Sequence, residues 1–585
     1  MIDGPRRSPA TVSEHAAQPM PRWALVAMLT AFIVPGLFGH DLWPQDASGF
    51  GRMWSMAHGT LVDWLLPNVA GAQAPHSGPL PYWVGAILIR AFGGLIGDTN
   101  AGAAANLLWY PLAMFSIWQA MFRLARRDEA QPVAGAFGGE ANRRDYARLI
   151  ADISVLLAIG TIGMVWRLHQ TQSDSATVAI VAVVLYAASL IEWRIVTASL
   201  IAGVAVGAMA LTQGPLPSLG LLIGCVAVFV RGARDNGLGA GKLALVLVVL
   251  LCVPIVLAGA WPLAAYHWFP SETELFFDTG NSVLATGWPT TDDYAWLGRN
   301  GAWFLWPLWP LAAWGVYAWR ASLGAAHIER PLLLLAGSLL ATLVSTDINE
   351  RGLVAIIPPM VALAAFGATT LRRALDNVID WLAIAIFSLA LFFLWGYFAA
   401  MESGVPKAMA ASVTRLTPGF SPHLQFLALL LALAACAAWI ELIAWRILRR
   451  PRVMWRGPLL AAAGVTVVWI AANLLYLPAV DYIFSYRTFA REVAEQLQAR
   501  GLGDGCVQAH RIPLAERAII AYYGRIRFDR AGSSETCRLA LHRESRRSTL
   551  DNDPPPGVRG MWEQVWEGRR KASPDERWRI WQRVQ

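Results

Sequence analysis

Apolar runs about 20 residues long recur from one end of this 585-residue chain almost to the other. They fall near 23–39, 101–122, 149–166, 175–193, 195–212, 216–230, 243–264, 301–319, 331–345, 352–369, 379–399, 424–445 and 458–479. Each approaches the length an α-helix needs to cross the roughly 30 Å hydrocarbon core of a bilayer. Hydrophobic residues make up 56% of the chain and charged ones only 15%, against about 25% charged in soluble proteins. There is too little polar surface here to cover such a core in water. The 28 tryptophans fit the same reading, because indole rings settle at the boundary between lipid and water. We expect an all-α polytopic membrane protein with about thirteen spans, outer-face interfacial helices and a small C-terminal α/β domain. The formal net charge is +8, but Lys and Arg are spread through short loops rather than gathered on one face, so no nucleic-acid partner is expected.

The stretch at 79–97, PLPYWVGAILIRAFGGLIG, is apolar but carries Arg90 and a glycine-rich end. Short cytoplasmic loops hold the excess of Lys and Arg. If 79–97 does not span, one side receives Arg6, Arg7 and Arg22, the cluster from Arg123 to Arg148, and the basic loops around Arg231, Arg320, Arg372 and Arg446 to Arg456. The opposite loops then hold little more than Arg52, Arg167, Arg299, Arg351, Lys407 and Arg415. We read 79–97 as an interfacial or re-entrant helix. An odd number of spans places the N-terminus inside and the tail outside, so in a bacterium the tail is periplasmic.

Three units follow: a polar, flexible N-terminal tail over 1–22, a membrane domain over 23–480 with outer loops at 40–100 and 265–300, and a tail domain over 481–585. The first apolar run lacks a clear cleavage signal and reads as a retained helix. Cys225, Cys252 and Cys436 lie in apolar runs, where a thiol is usually a small hydrophobe. Cys506 and Cys537 lie in the tail, where an oxidising compartment would let them pair; two unpaired thiols are the alternative.

The outer loops concentrate the ionisable groups. The loop from 40 to 80 holds Asp41, Asp46, Arg52, His58, Asp63 and His76; the turn RLHQTQSDSATVAI holds Asp174; TDINERG holds Glu350 and Arg351. A carboxylate near the bilayer costs a few kcal/mol when deep unless it is paired or lines a wet cavity, so Asp46 and Asp174 are expected to face a cavity. A helix N-cap role is the plain alternative for each, and capping does not exclude catalysis. The segment SETELFF gives Ser271 and Glu274 the spacing of a capping box, and the aromatic loop at 265–300 has surface suited to closing over an isoprenoid phosphate.

The stretch LWPQDASGF to PLPYWV, Leu42 to Val84, resembles the first outer loop of the GT-C membrane glycosyltransferases. The branch in question contains the lipid A aminoarabinose transferases and, more distantly, the protein O-mannosyltransferases. QSDSA, ALTQGPLP and NERGLVAIIPPMVALAAFG resemble further turns of that family in the same order. The resemblance implies that Asp46 is the catalytic carboxylate and Asp174 a second acidic site residue. The chain departs from the family pattern at Ala47, Ser77, Gln213 and Gly352, where the family has Glu, Lys, Lys and Tyr. Three of those departures remove groups that would hold a lipid phosphate or neighbour the catalytic acid, so the substrate cannot simply be carried over.

Enzymes of this kind move a sugar from a polyprenyl-phosphate carrier to an acceptor at the outer face of the membrane. Arg351 is the best-placed phosphate ligand, because a guanidinium grips two oxygens at once; Arg52, Arg299 and Gln213 are secondary candidates. His76, Ser77 and Tyr82 are candidate substrate contacts. No cofactor is expected to be required. A divalent metal held by His58 and His76 with the acids is the lesser alternative, since no close ligand spacing appears. The rival class is a transporter or flippase of a lipid-linked substrate, against which stand the outer clustering of the acids and the lack of an internal repeat.

Overall fold

The computed structural model describes residues 8–75, 77–133, 138–281, 288–346, 348–501, 505–531, 537–545 and 562–584. It opens with α1 (Arg22–Ile33), α2 (Pro44–His58), α3 (Leu61–Leu65), a minimal hairpin of β1 (Asn68–Val69) and β2 (Ala72–Gln73), α4 (Leu80–Ile96) and α5 (Asp98–Ala103). A helical array follows: α6 (Asn106–Ala125), α7 (Arg143–Ile159), α8 (Ile162–Arg167), α9 (Asp174–Ser189), α10 (Ile191–Gln213), α11 (Pro215–Asp235) and α12 (Ala240–Trp268). It continues through α13 (Pro270–Asn281), α14 (Thr291–Trp296), α15 (Ala302–Phe304), α16 (Leu308–Ala318), α17 (Ala326–Leu343) and α18 (Glu350–Ala368). The last part of the array is α19 (Arg373–Ser403), α20 (Lys407–Leu416), α21 (Phe426–Leu448) and α22 (Arg456–Phe484).

The chain is a multi-pass membrane protein. Among the described residues eight helices are long and apolar enough to cross a bilayer, and Arg22–Ile33, Leu80–Ile96 and Asp174–Ser189 are shorter apolar helices. The other five of the thirteen expected runs also form helices, but shorter, interrupted or more polar ones. In α6, Asn106, Gln119 and Arg123 dilute the apolar run. The run at 149–166 breaks at Gly160 and Thr161 into α7 and α8, and the run at 301–319 breaks between α15 and α16. Close helix crossings use small residues: a Cβ on Gly220 of α11 would lie 2.5 Å from the Gly337 carbonyl oxygen of α17, so the two backbones touch.

The tail starts with α23 (Arg487–Gln498) and continues with β3 (Val507–His510), α24 (Leu514–Gly524), β4 (Leu539–Ser545), β5 (Trp562–Arg570) and β6 (Ser573–Arg583). The sheet order is β3-β4-β6-β5, with β3 and β4 parallel and the other pairs antiparallel. Cys506, just before β3, is disulfide-bonded to Cys537, just before β4.

The tail does not pack alone. Leu42, Phe50 and Met53 from the first loop and α2, with Tyr82 and Ile89 of α4, share one buried cluster with Phe489, Ile519, Ile520 and Trp578 of the tail. The buried face of α4 therefore belongs to this cluster rather than to the main helical core. The N-terminal segment is also more ordered than its composition suggests. Ala10, Val12 and Ala17 are buried, and backbone hydrogen bonds run from Val133 to Ala10, Ala141 to Val12 and Met454 to Ala16.

Candidate active site

The site is built where α2 meets the turn between α8 and α9. Asp46 is the third residue of α2, and the N-cap Trp43 makes no side-chain capping bond, so the capping alternative for Asp46 is corrected. Its Oδ1 instead accepts the Thr171 N–H at 2.8 Å, and Thr171 Oγ1 donates to the Asp46 carbonyl at 3.0 Å. Gln172 Nε2 donates to the Gln45 carbonyl at 2.8 Å and to Ser48 Oγ at 3.0 Å. This approach requires Gly49: a Cβ there would lie 1.7 Å from the Thr171 carbonyl oxygen. Burial pushes the Asp46 carboxyl up, opposed by the charge of His40 and by the Thr171 hydrogen bonds. A cavity of about 20 Å³, lined by Asp46, His40, Asn100 and His169 among others, has room for about one water.

Three residues on from Thr171, Asp174 opens α9, fully buried. It makes no capping bond to its own helix start; its Oδ2 accepts Arg167 Nη1 at 3.1 Å. Arg167 also donates through Nη2 to Glu350. Among the described residues Asp174 Oδ1 has no hydrogen-bond partner, and Arg167 Nε, Ser173 Oγ, Gln172 Oε1, Arg52 Nε and Ser77 Oγ are likewise buried and unpartnered. An orphaned buried polar atom costs about 1–3 kcal/mol, and such atoms rarely cluster without a polar ligand or water to satisfy them.

Arg351, in the first turn of α18, lies within electrostatic reach of both Asp174 and Arg52. Its backbone N–H is held by the Asn349 side chain at 2.9 Å, while its guanidinium donates no hydrogen bond among the described residues. Arg52 is buried; Nη1 donates to Tyr82 Oη at 3.3 Å, and the guanidinium stands 4.9 Å above the Tyr82 ring. Burial pulls the Arg52 guanidinium below its usual range, against the pull of Tyr82, and repulsion from Arg351 adds to it. Gln213 ends α10 and donates to Thr177 Oγ1 at 2.8 Å, one turn along α9 from Asp174. Ser77 is placed beside it, because the Gly78 N–H donates to the Thr212 carbonyl at 3.2 Å.

Other sequence candidates fall elsewhere. Arg299 is exposed and, among the described residues, donates within its own turn, to the Ala295 carbonyl at 3.4 Å. His76 lies outside the described residues. His58 is a surface residue 3.8 Å from Asp98, and no group of three His, Cys, Asp or Glu capable of holding a metal occurs among the described residues. The capping box expected at Ser271 is absent: the helix starts at Pro270 and Ser271 donates to Glu272. The true box in that region is Thr290 with Asp293. The aromatic segment packs on the loop from 40 to 80, where Phe276 and Ala265 bury Leu66 and Trp261 Nε1 donates to the Leu65 carbonyl at 2.6 Å.

Sequence reasoning missed Arg167 and Thr171. Arg167 stood out only as a cation on the side where cations are scarce; its spacing of seven from Asp174 across a turn carries no periodic signal.

The fold is similar to that of ArnT from Cupriavidus metallidurans bound to undecaprenyl phosphate, with a TM-score of 0.64, 15% identity, and 96% of this chain and 97% of that one covered. The apo structure of the same protein gives a TM-score of 0.58 at 15% identity, covering 90% and 91%. A lower TM-score of 0.40 relates the chain to the archaeal oligosaccharyltransferase AglB from Archaeoglobus fulgidus, at 11% identity over 87% of this chain and 64% of that one. The sequence matches no protein-family model and no curated protein. At these identities the likeness is one of fold.

Proposed function

We propose that this chain is an inverting glycosyltransferase of a bacterial inner membrane, moving a sugar from a polyprenyl-phosphate carrier to a lipid, glycan or protein acceptor at the periplasmic face. The observation that carries this reading is the single turn, Thr171 to Asp174, that ties two buried carboxylates together beside Arg52, Arg167 and Arg351. The orphaned polar atoms around that turn fit a site completed by a polar substrate. The fold supports the choice of donor, since its relative ArnT is described as bound to undecaprenyl phosphate.

The acceptor hydroxyl attacks the anomeric carbon on the face opposite the phosphate. The bond from that carbon to the phosphate oxygen breaks, its electron pair leaves with the polyprenyl phosphate, and the hydroxyl proton passes to Asp46. Raising the Asp46 carboxyl by burial brings it nearer the working pH and makes it a better general base. Where the acceptor is itself an ionised phosphate there is no proton to take, and Asp46 stabilises positive charge on the sugar.

Phosphate is a good leaving group, so the site needs charge stabilisation more than a Lewis acid. Arg351, its guanidinium uncommitted, is the phosphate ligand, with Arg52 behind it. Arg167 already serves Asp174 and Glu350 and positions rather than binds. Asp174, Ser77 and Tyr82 face the sugar.

The test is a comparison, by mass spectrometry, of cell-envelope glycans between a deletion strain carrying the wild-type protein and one carrying Asp46→Asn at equal membrane abundance. Loss of one hexose- or pentose-type modification supports the transferase and names its sugar. Unchanged glycans remove Asp46 from the mechanism.

A further inference from the structure

A cleft of about 1030 Å³ separates the far half of α2 and the β1–β2 hairpin from α23, α24 and the strand-like segment after it. It is distinct from the small cavity at Asp46, but its near end is joined to that region. There Arg487 pairs with Asp41 at 3.2 Å, and the Leu42 N–H donates to Tyr523 Oη at 3.0 Å. At the far end Arg530 pairs with Asp63 at 3.1 Å.

Two properties of the lining decide its chemistry. Five arginines, at 487, 491, 525, 527 and 530, face it against two aspartates, Asp63 and Asp98. Arg491 and Arg525 are exposed and make no ion pair among the described residues, so their charge is available to a ligand. Between the cations lies an aromatic floor: Trp54 and Tyr522 meet edge to face at 5.8 Å, and Tyr522 and Tyr523 stand 5.0 Å apart. These three side chains are half-buried, leaving ring surface open to the cleft.

We propose that this cleft binds an acidic oligosaccharide. Ring faces take the apolar faces of pyranoses, and guanidinium groups take carboxylate or phosphate substituents bidentately. A volume at the upper end of the range for small-molecule sites, about 300–1,000 Å³, suits several sugar units rather than one. The inference rests on the transferase reading in making this the docking place of the acceptor glycan, beyond Asp46 towards the C-terminal end of α2. The binding itself is independent of turnover.

Saturation-transfer NMR on the full-length protein in nanodiscs of neutral lipid tests it with three probes: tetragalacturonate, neutral maltotetraose and tetra-aspartate. Tetragalacturonate is expected to bind at least about tenfold more tightly than maltotetraose, which lacks the carboxylates that guanidinium groups take, and than tetra-aspartate, which lacks the pyranose faces that aromatic rings take. Arg491→Gln with Arg525→Asn should weaken it by a similar factor. Asn is chosen at 525 because that residue has φ +51°, which Asn tolerates. Retention of the Cys506–Cys537 disulfide and of the wild-type melting temperature shows that the variant is folded. Equal binding of tetra-aspartate, equal binding of maltotetraose, or an unchanged affinity in the folded variant each overturns the proposal. None of these outcomes bears on Asp46→Asn, so this inference and the transferase reading fail separately.

Discussion

Arg167 Nη1 lies 3.1 Å from Asp174 Oδ2, joining the last residue of α8 to the first residue of α9 across a buried turn. The pair holds that turn in the shape that presents Thr171 to Asp46. Removing one partner of a buried ion pair costs about 3–5 kcal/mol, because the other charge is left without compensation. Arg167→Met is therefore expected to lower the melting temperature sharply. Arg167→Met combined with Asp174→Asn should recover most of the loss. Additive losses in the double variant, measured in the same detergent, would show that the two groups do not act as a pair.

Asp46→Asn keeps an oxygen for the Thr171 N–H but removes the base. Transfer to a hydroxyl acceptor should fall by about 10²- to 10⁴-fold with little change in melting temperature or in donor binding. Single-turnover kinetics with a reconstituted polyprenyl-phosphate sugar would measure it. A comparable loss of donor affinity would reassign Asp46 to binding.

Arg351→Gln deletes the proposed phosphate contact, and the Arg351 guanidinium donates no hydrogen bond among the described residues that the change would break. Charge-assisted bonds are worth about 1.5–3 kcal/mol, so kcat/KM for the donor should drop roughly 10- to 100-fold. Arg351→Lys, keeping charge but losing the fork, should recover only part of it. Full activity in Arg351→Lys would mean that a point charge is enough.

Two pH effects follow from groups outside the spanning segments. Burial raises the Asp46 carboxyl above its ordinary value of 3.8, and the reaction needs it ionised, so the acid limb of kcat/KM should lie above the range of an ordinary aspartate. His169, between the rings of Phe32 and Trp469, is pushed by burial from 6.5 down to about 4. Its folded-state value is the lower one, so its contribution to stability is complete above 6.5 and is lost as the pH falls from 6.5 towards 4. His169→Gln should flatten the melting temperature across that window; an unchanged slope would place the acid sensitivity elsewhere.

The disulfide between Cys506 and Cys537 closes a separation of 31 residues. Loop-closure entropy sets its contribution at about 3–4 kcal/mol. Cys506→Ser with Cys537→Ser should destabilise the tail by about that amount. Because the tail shares its core with α2, protease resistance near α2 should fall as well. Loss confined to the tail would mean that the two parts unfold independently.

The sequence by itself determined what any single segment could decide alone. The mean apolarity of successive runs fixed a helical membrane protein. Asp46 and Asp174 were legible because a carboxylate beside an apolar run is costly and needs a reason. What the runs could not show was how full each span is, since Asn106 or Gly160 changes a helix only through its neighbours. Only the tertiary structure decided that Asp46 binds Thr171 rather than capping its own helix, that Arg167 rather than Arg299 stands by the acids, and that the loop from 40 to 80 shares a core with the tail. Each of these is a contact between residues far apart in the sequence or across a turn. Its energy depends on a distance of a few ångströms between groups whose sequence separation carries no periodicity.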